Sequence, residues 1–118
     1  MTFTTVNVNR DQLQQLNQLL ITVFPGCTIH QNRDPMRAIQ HLSNQKIDAV
    51  FADAETCSDW LPILGNHKSK PVVYLLCRQE AQPAEVTEQV HGIVTYPITK
   101  FKIQNALQTR PWDVGEVI

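Results

Sequence analysis

Few residues in this chain have the type and placement to do chemistry. Asp53 closes the run Ile47-Asp48-Ala49-Val50-Phe51-Ala52-Asp53. An unbroken run of apolar and β-favouring residues between polar loops predicts a strand buried on both faces, at the centre of a parallel sheet. Asp53 then stands at the strand's C-terminal end, the edge of an open α/β sheet where ligands and chemistry are placed. The same carboxylate could equally cap the turn or helix that follows. The three cysteines, Cys27, Cys57 and Cys77, are odd in number and form no C-x-x-C pair. They read as reduced, small and mostly buried. His30, His41, His67 and His91 are scattered, with no metal-ligand spacing among themselves or with the cysteines.

The totals narrow the function classes. The chain has 118 residues, 42% hydrophobic and 18% charged, with a formal net charge of -1. That is one globular domain with enough chain for a core of its own. The charge offers no basic footprint for nucleic acid and no polybasic membrane patch. No apolar run is long enough to span a bilayer and no signal-peptide pattern opens the chain, so a cytoplasmic protein is expected.

The elements that must position Asp53 alternate along the chain. Residues 3–8 predict a first strand. Asn9 predicts a helix N-cap, with Gln12 reaching back to it and Asp11 suiting the helix dipole. Leu13, Leu16, Leu19, Leu20 and Val23 follow at helical spacing until Pro25-Gly26 stops the helix. Residues 27–30 predict a short second strand. Asp34-Pro35 is a strong helix start, with Ala38, Ile39 and Leu42 as the buried face.

After the central strand, the polar segment 55–59 leads into a short helix holding Trp60, Leu61, Ile63 and Leu64. Pro71 opens a fourth strand over residues 72–77. Gln82-Pro83 begins a fourth helix, with Val86 and Val90 on one face, and residues 93–95 form a fifth strand. Thr99 caps the last helix, with Ile98 and Ile103 as a hydrophobic staple and Phe101, Ala106 and Leu107 continuing its face. Residues 110–118 read as a tail or the start of a linker after a domain over 1–109. Five strand–helix alternations predict an α/β three-layer sandwich around a parallel sheet.

Several stretches, in this order, resemble the response-regulator receiver domain. They are Phe24-Pro25-Gly26-Cys27, Arg33-Asp34-Pro35-Met36-Arg37-Ala38-Ile39, Asp48-Ala49-Val50-Phe51-Ala52-Asp53 and Pro71-Val72-Val73-Tyr74. The detailed likeness is to receivers joined to LytTR-type DNA-binding domains. The resemblance implies a flavodoxin/CheY-like sheet of order 2-1-3-4-5, with Asp53 at the phospho-acceptor position. It implies a cis peptide at Tyr96-Pro97. It also implies a protein partner, such as a cognate histidine kinase, or a second copy docking on the face of the fourth helix, fifth strand and fifth helix. Here that face draws on Glu85, Glu88, Lys100, Lys102 and Gln104.

The chain departs from the family at each group that assists the aspartate. A phosphoryl group in transfer spreads charge over its oxygens, so cations must be placed around it. The acidic pair that holds Mg²⁺ falls among Asn7, Val8, Asn9 and Arg10, none of which is acidic. The hydroxyl position is Leu76 and the lysine position is Tyr96. Tyr96 is expected to pack near Leu76 as an apolar lid, and Asp53 either to accept backbone N–H groups in the loop that follows or to pair with Arg10 in place of the metal.

The expected protein is therefore a degenerate, pseudo-receiver regulatory module. It is not an enzyme, acts by protein–protein interaction, binds no nucleic acid or membrane itself and uses no cofactor. The alternative is a phosphorylation-switched receiver that uses Asp53 and Mg²⁺ to control an output such as transcription. A cysteine-phosphorylated transport subunit would need a cysteine just after the first strand, where Asn9 and Arg10 stand.

Overall fold

The computed structural model describes residues 1–57, 59–65, 67–68, 72–78 and 91–108. Five parallel strands form one sheet: β1 Thr2–Val6, β2 Thr28–Asn32, β3 Ala49–Asp53, β4 Val73–Arg78 and β5 Gly92–Tyr96, in the order β2-β1-β3-β4-β5. The described helices are α1 Arg10–Val23, α2 Pro35–Asn44, α3 Ala54–Cys57, α4 Leu61–Gly65 and α5 Lys100–Gln108. The α/β architecture and strand order are those expected from the sequence.

Strand alternation divides the interior into two cores, since successive side chains point to opposite faces. Phe3, Ala49, Phe51, Tyr74, Leu76 and Val94 pack with Leu16 and Leu20 of α1 and Ile103 and Leu107 of α5. Val6, Val50, Ala52, Val73 and Leu75 pack with Ala38 and Leu42 of α2, Cys57 of α3 and Leu64 of α4. On the first side Phe51 sits edge-on to Phe3 at 5.6 Å and stacks on Tyr74 at 5.3 Å. Each fully buried side chain of this size stabilises the fold by about 1.5–3 kcal/mol relative to leaving it exposed. All five residues of β3 are buried, because strands and helices cover both its sides and faces.

The helix signals act as expected at three caps, the last being Thr99, whose Oγ1 accepts from the Lys102 N–H at 3.2 Å. Asn9 Oδ1 accepts from the Gln12 N–H at 3.0 Å and Asp34 Oδ1 accepts from the Met36 N–H at 3.0 Å, with Pro35 opening α2. Gly26, just past α1, has φ +87°, a conformation that suits glycine.

Other expectations are corrected. The Gln12 side chain does not return to the Asn9 N–H, which is bound by Asn7 Oδ1 at 2.8 Å instead. The first strand ends at Val6, and the second runs on to Asn32. The segment after β3 makes two short helices, not one, because Asp53 starts a helical turn at once. Phe101 does not join the face of α5: it is 69% exposed, while Ile103, Ala106 and Leu107 face the core. Two residues' rotation along a helix turns Phe101 away from Ile103. Lys102 is not spread on the surface: its ammonium donates to Thr95 O, Thr95 Oγ1 and Pro97 O at 3.0–3.2 Å, closing the turn between β5 and α5. The helix expected from Gln82-Pro83, with Glu85 and Glu88, and the tail over 110–118 lie outside the described residues.

Candidate functional site

Alternation places Ala49, Phe51 and then Asp53 toward the α1 and α5 side. The same period places Val94 and Tyr96 there from β5, and Leu76 from β4. Carried one step past β1, it adds Asn7. These residues meet at the C-terminal edge of the sheet, where the chain leaves each strand for the next helix.

Asp53 is 6% exposed and accepts three hydrogen bonds. The Tyr96 hydroxyl donates to Oδ1 at 2.6 Å. The Thr56 N–H and hydroxyl donate to Oδ2 at 3.0 and 2.9 Å. Asp53 is thus both the acid at the sheet edge and the cap of α3; the two readings of the sequence describe one geometry. Asn7, buried, donates from Nδ2 to Tyr96 Oη at 3.1 Å and to Gln12 Oε1 at 3.0 Å. The Val8 N–H donates to Thr56 Oγ1 at 3.1 Å, so the loops after β1 and β3 are tied through the same network.

The electrostatics follow from that packing. Burial, then the bond to Asp53, then the Asp53 charge push the Tyr96 phenol well above the ordinary tyrosine value. Burial and the same charge push the Cys57 thiol up to about 12. Cys77 is raised for the same two reasons. Both thiols stay protonated, and so are poor nucleophiles. The cysteines are free, with Cys57 and Cys77 buried and Cys27 half-buried.

An open cleft of about 780 Å³ lies over this network, lined by Asn7, Asn9, Asp53, Glu55, Arg78 and Tyr96 among others. Glu55 and Arg78 meet at its mouth at 2.6 Å, both well exposed. Of the remaining expected site residues, Val8 lines the cleft from the solvent side and Leu76 lines its floor, buried beside Asp53 across the β3–β4 register. The Tyr96-Pro97 peptide is cis.

Two expectations fail here. Arg10 does not pair with Asp53: it is exposed and lines a separate hollow with Gln14, Gln31 and Arg33. As the first residue of α1, it points away from the sheet edge. Tyr96 packs against the core that includes Leu76, but it is no purely apolar lid, because its hydroxyl serves Asp53. Sequence reasoning did not single out Thr56 or Arg78, and it named Gln12 only as a partner of the Asn9 cap. The signal for Thr56 was present: a hydroxyl three residues after a strand-ending aspartate suits a cap whose side chain bonds the third residue on.

The cleft does not suit Mg²⁺. That ion takes near-octahedral oxygen ligands, usually including one or two carboxylates. Asp53 has two donors on one oxygen and a phenol on the other, and Glu55 is held by Arg78. Asn7, Val8 and Asn9, which line the cleft beside Asp53, add no carboxylate. No three histidine, cysteine or acidic side chains gather into a metal site among the described residues.

The fold itself is that of response-regulator receiver domains. The response regulatory domain of protein MrkE from Klebsiella pneumoniae superposes with a TM-score of 0.80 at 20% identity, over 98% of this chain and 99% of that one. The signal receiver domain of an HD domain-containing protein from Pseudomonas fluorescens gives 0.75 at 20% identity, over 92% of each chain. The chemotaxis response regulator CheY4 of Vibrio cholerae gives 0.75 at 14% identity, over 91% of this chain and 95% of that one. No family model matches the sequence. A comparison with curated proteins returned no significant match. Among the described residues, no helix is long and apolar enough to cross a membrane.

Proposed function

We propose that this chain is a receiver-like regulatory module of two-component type that acts by binding a protein partner, with Asp53 not efficiently phosphorylated. The observation that carries this reading is the 2.6 Å bond from Tyr96 to Asp53 Oδ1. It puts a neutral phenol, rather than a cation, against the acceptor carboxylate. Transfer of a phosphoryl group needs a free carboxylate oxygen and positive charge around the developing oxyanions. Here each carboxylate oxygen accepts from neutral donors, with no cation bonded to either among the described residues, Leu76 offers no hydroxyl and the nearby donor set is poor for Mg²⁺.

Such a site holds one state, so its output comes from a fixed surface. The partner is a signalling protein, of the histidine-kinase or output-domain kind, or a second copy. The docking face includes β5 and the outer side of α5, where Phe101, Lys100 and Gln104 are exposed. The module works in the cytoplasm, catalyses no reaction and uses no cofactor.

The competing reading is a phosphorylation-switched receiver. Arg78 favours it, as a cation lining the same cleft as Asp53. Beryllofluoride with Mg²⁺, titrated into ¹⁵N-labelled protein, separates the two. The locked reading predicts unmoved amide signals for Asn7, Thr56 and Tyr96. Saturable shifts of those amides at millimolar Mg²⁺ would favour the switch.

A further inference from the structure

The other side of the sheet carries a titratable pair that the Asp53 cluster does not use. His30 of β2 stacks on His41 of α2, with ring centroids 4.8 Å apart and planes 23° from parallel. Both rings are half-buried. His30 is level with Thr4 and Thr4 with Val50, so alternation sets the pair on the α2 side, away from Asp53. β2 stands at the edge of the sheet, paired only with β1. The two rings therefore close the seam between an edge strand and the last turn of its helix.

The surroundings favour neutral rings. Among the described residues no carboxylate bonds either one, and the His30 ring makes no hydrogen bond. Gln45 Nε2 lies 3.2 Å from His41 Nδ1, and an amide nitrogen there needs Nδ1 as its acceptor. β1 has no charged side chain, and β2 has none but His30. Arg37, one turn before His41 on α2, adds a cation. The acids of the packed elements are engaged elsewhere. Asp34 caps α2, Asp48 accepts from the Thr2 N–H at 2.7 Å, and Asp53 is held by Tyr96 and Thr56. Arg10 and Asp11 open α1, and Arg33 and Lys46 lie beyond the two ends of α2. His67 reaches α2 at exposed Ser43, and Cys57, packed on the same helix, keeps its proton. Burial, then His30, then Arg37 hold the His41 imidazole below the ordinary histidine value. The dipole of α2 favours a cation in its last turn, but those three effects outweigh it.

We infer that the His30–His41 stack is an acid-sensitive latch between α2 and the edge of the sheet. Neutral rings close the seam by packing face to face. As the pH falls each ring can gain a proton, and two unit charges 4.8 Å apart, with Arg37 beside them, repel. A proton on His41 Nδ1 also removes the acceptor that faces Gln45. The last turn of α2 then parts from β2. Because the folded state holds the His41 proton less well than the unfolded chain, the latch contributes fully above pH 6.5 and fades as the pH falls through that value. It gives the module a response to acidity that does not pass through Asp53.

The test follows the histidine Cε1–H signals and the backbone amides of the full chain by NMR, from about pH 8 to about pH 5. Expected are a His41 midpoint below that of histidine in an unstructured peptide, and shifts of the Leu42, Ser43 and Gln45 amides that follow the same curve. His30→Gln and Arg37→Gln should each move the midpoint up, because each removes a positive neighbour. Arg37 is exposed, so its replacement leaves the packing intact. A His41 midpoint that neither variant moves would overturn the inference. So would α2 amides that stay still while His41 titrates.

Discussion

The Tyr96 hydroxyl reaches Asp53 across the intervening strand β4. Asp53 is level with Leu76, and Leu76 with Val94, so Tyr96 lies two residues beyond the aligned position and leans back over the edge. Its 2.6 Å bond therefore links β3 to β5 where no backbone ladder does. Tyr96→Phe keeps the ring in the core but removes the donor to a buried carboxylate and the acceptor for Asn7. The loss should be about 1–3 kcal/mol, since hydrogen bonds to charged groups are the stronger kind. Urea unfolding of both proteins measures it; an unchanged midpoint would remove the tie from the account.

Alkaline pH should weaken the fold through the same residues. Tyr96 is raised from 10.0 and Cys57 from 9.0 to about 12, so the folded state holds their protons longer than the unfolded chain does. Stability from both groups is therefore complete below the unfolded values. It falls as pH climbs past about 9, first through Cys57 and then through Tyr96. Urea midpoints taken at rising pH should show the decline, and Tyr96→Phe should flatten its upper part. A midpoint constant to pH about 11 would contradict the assignment.

Gly92 opens β5 beside the ring of Tyr74. A Cβ at this position would lie 3.0 Å from Tyr74 Cδ1 and 3.2 Å from Cε1. That ring is 1% exposed and stacked on Phe51, so it has little room to yield. Gly92→Ala should destabilise by about 1–3 kcal/mol through overpacking. Thermal unfolding checks this, and a variant as stable as the parent would mean the ring shifts freely.

Much of this was legible in the residues. The non-alternating runs of β3 and β4, the Asp34-Pro35 start and the Pro25-Gly26 stop are local signals, whereas the sheet order came from the family resemblance, because alternation alone fits more than one parallel order. Asn7, Asp53 and Tyr96 could be set on one face by counting in twos from the strand cores. What stayed hidden was which side chains meet. Arg10 looked like the natural partner of Asp53 by charge, yet opening α1 points it to another hollow. Phe101 looked apolar enough for the core, yet its angle on α5 faces it outward. Gln12 matched a capping box, but a buried Asn7 competed for the same N–H and won.

The central claim is that Asp53 is a fixed anion rather than a phosphoryl acceptor. Incubation of the protein with acetyl phosphate and Mg²⁺, followed by intact mass measurement, tests it most directly. The account predicts an unmodified mass for nearly all molecules. A stoichiometric phosphoryl adduct that disappears in Asp53→Asn would contradict it.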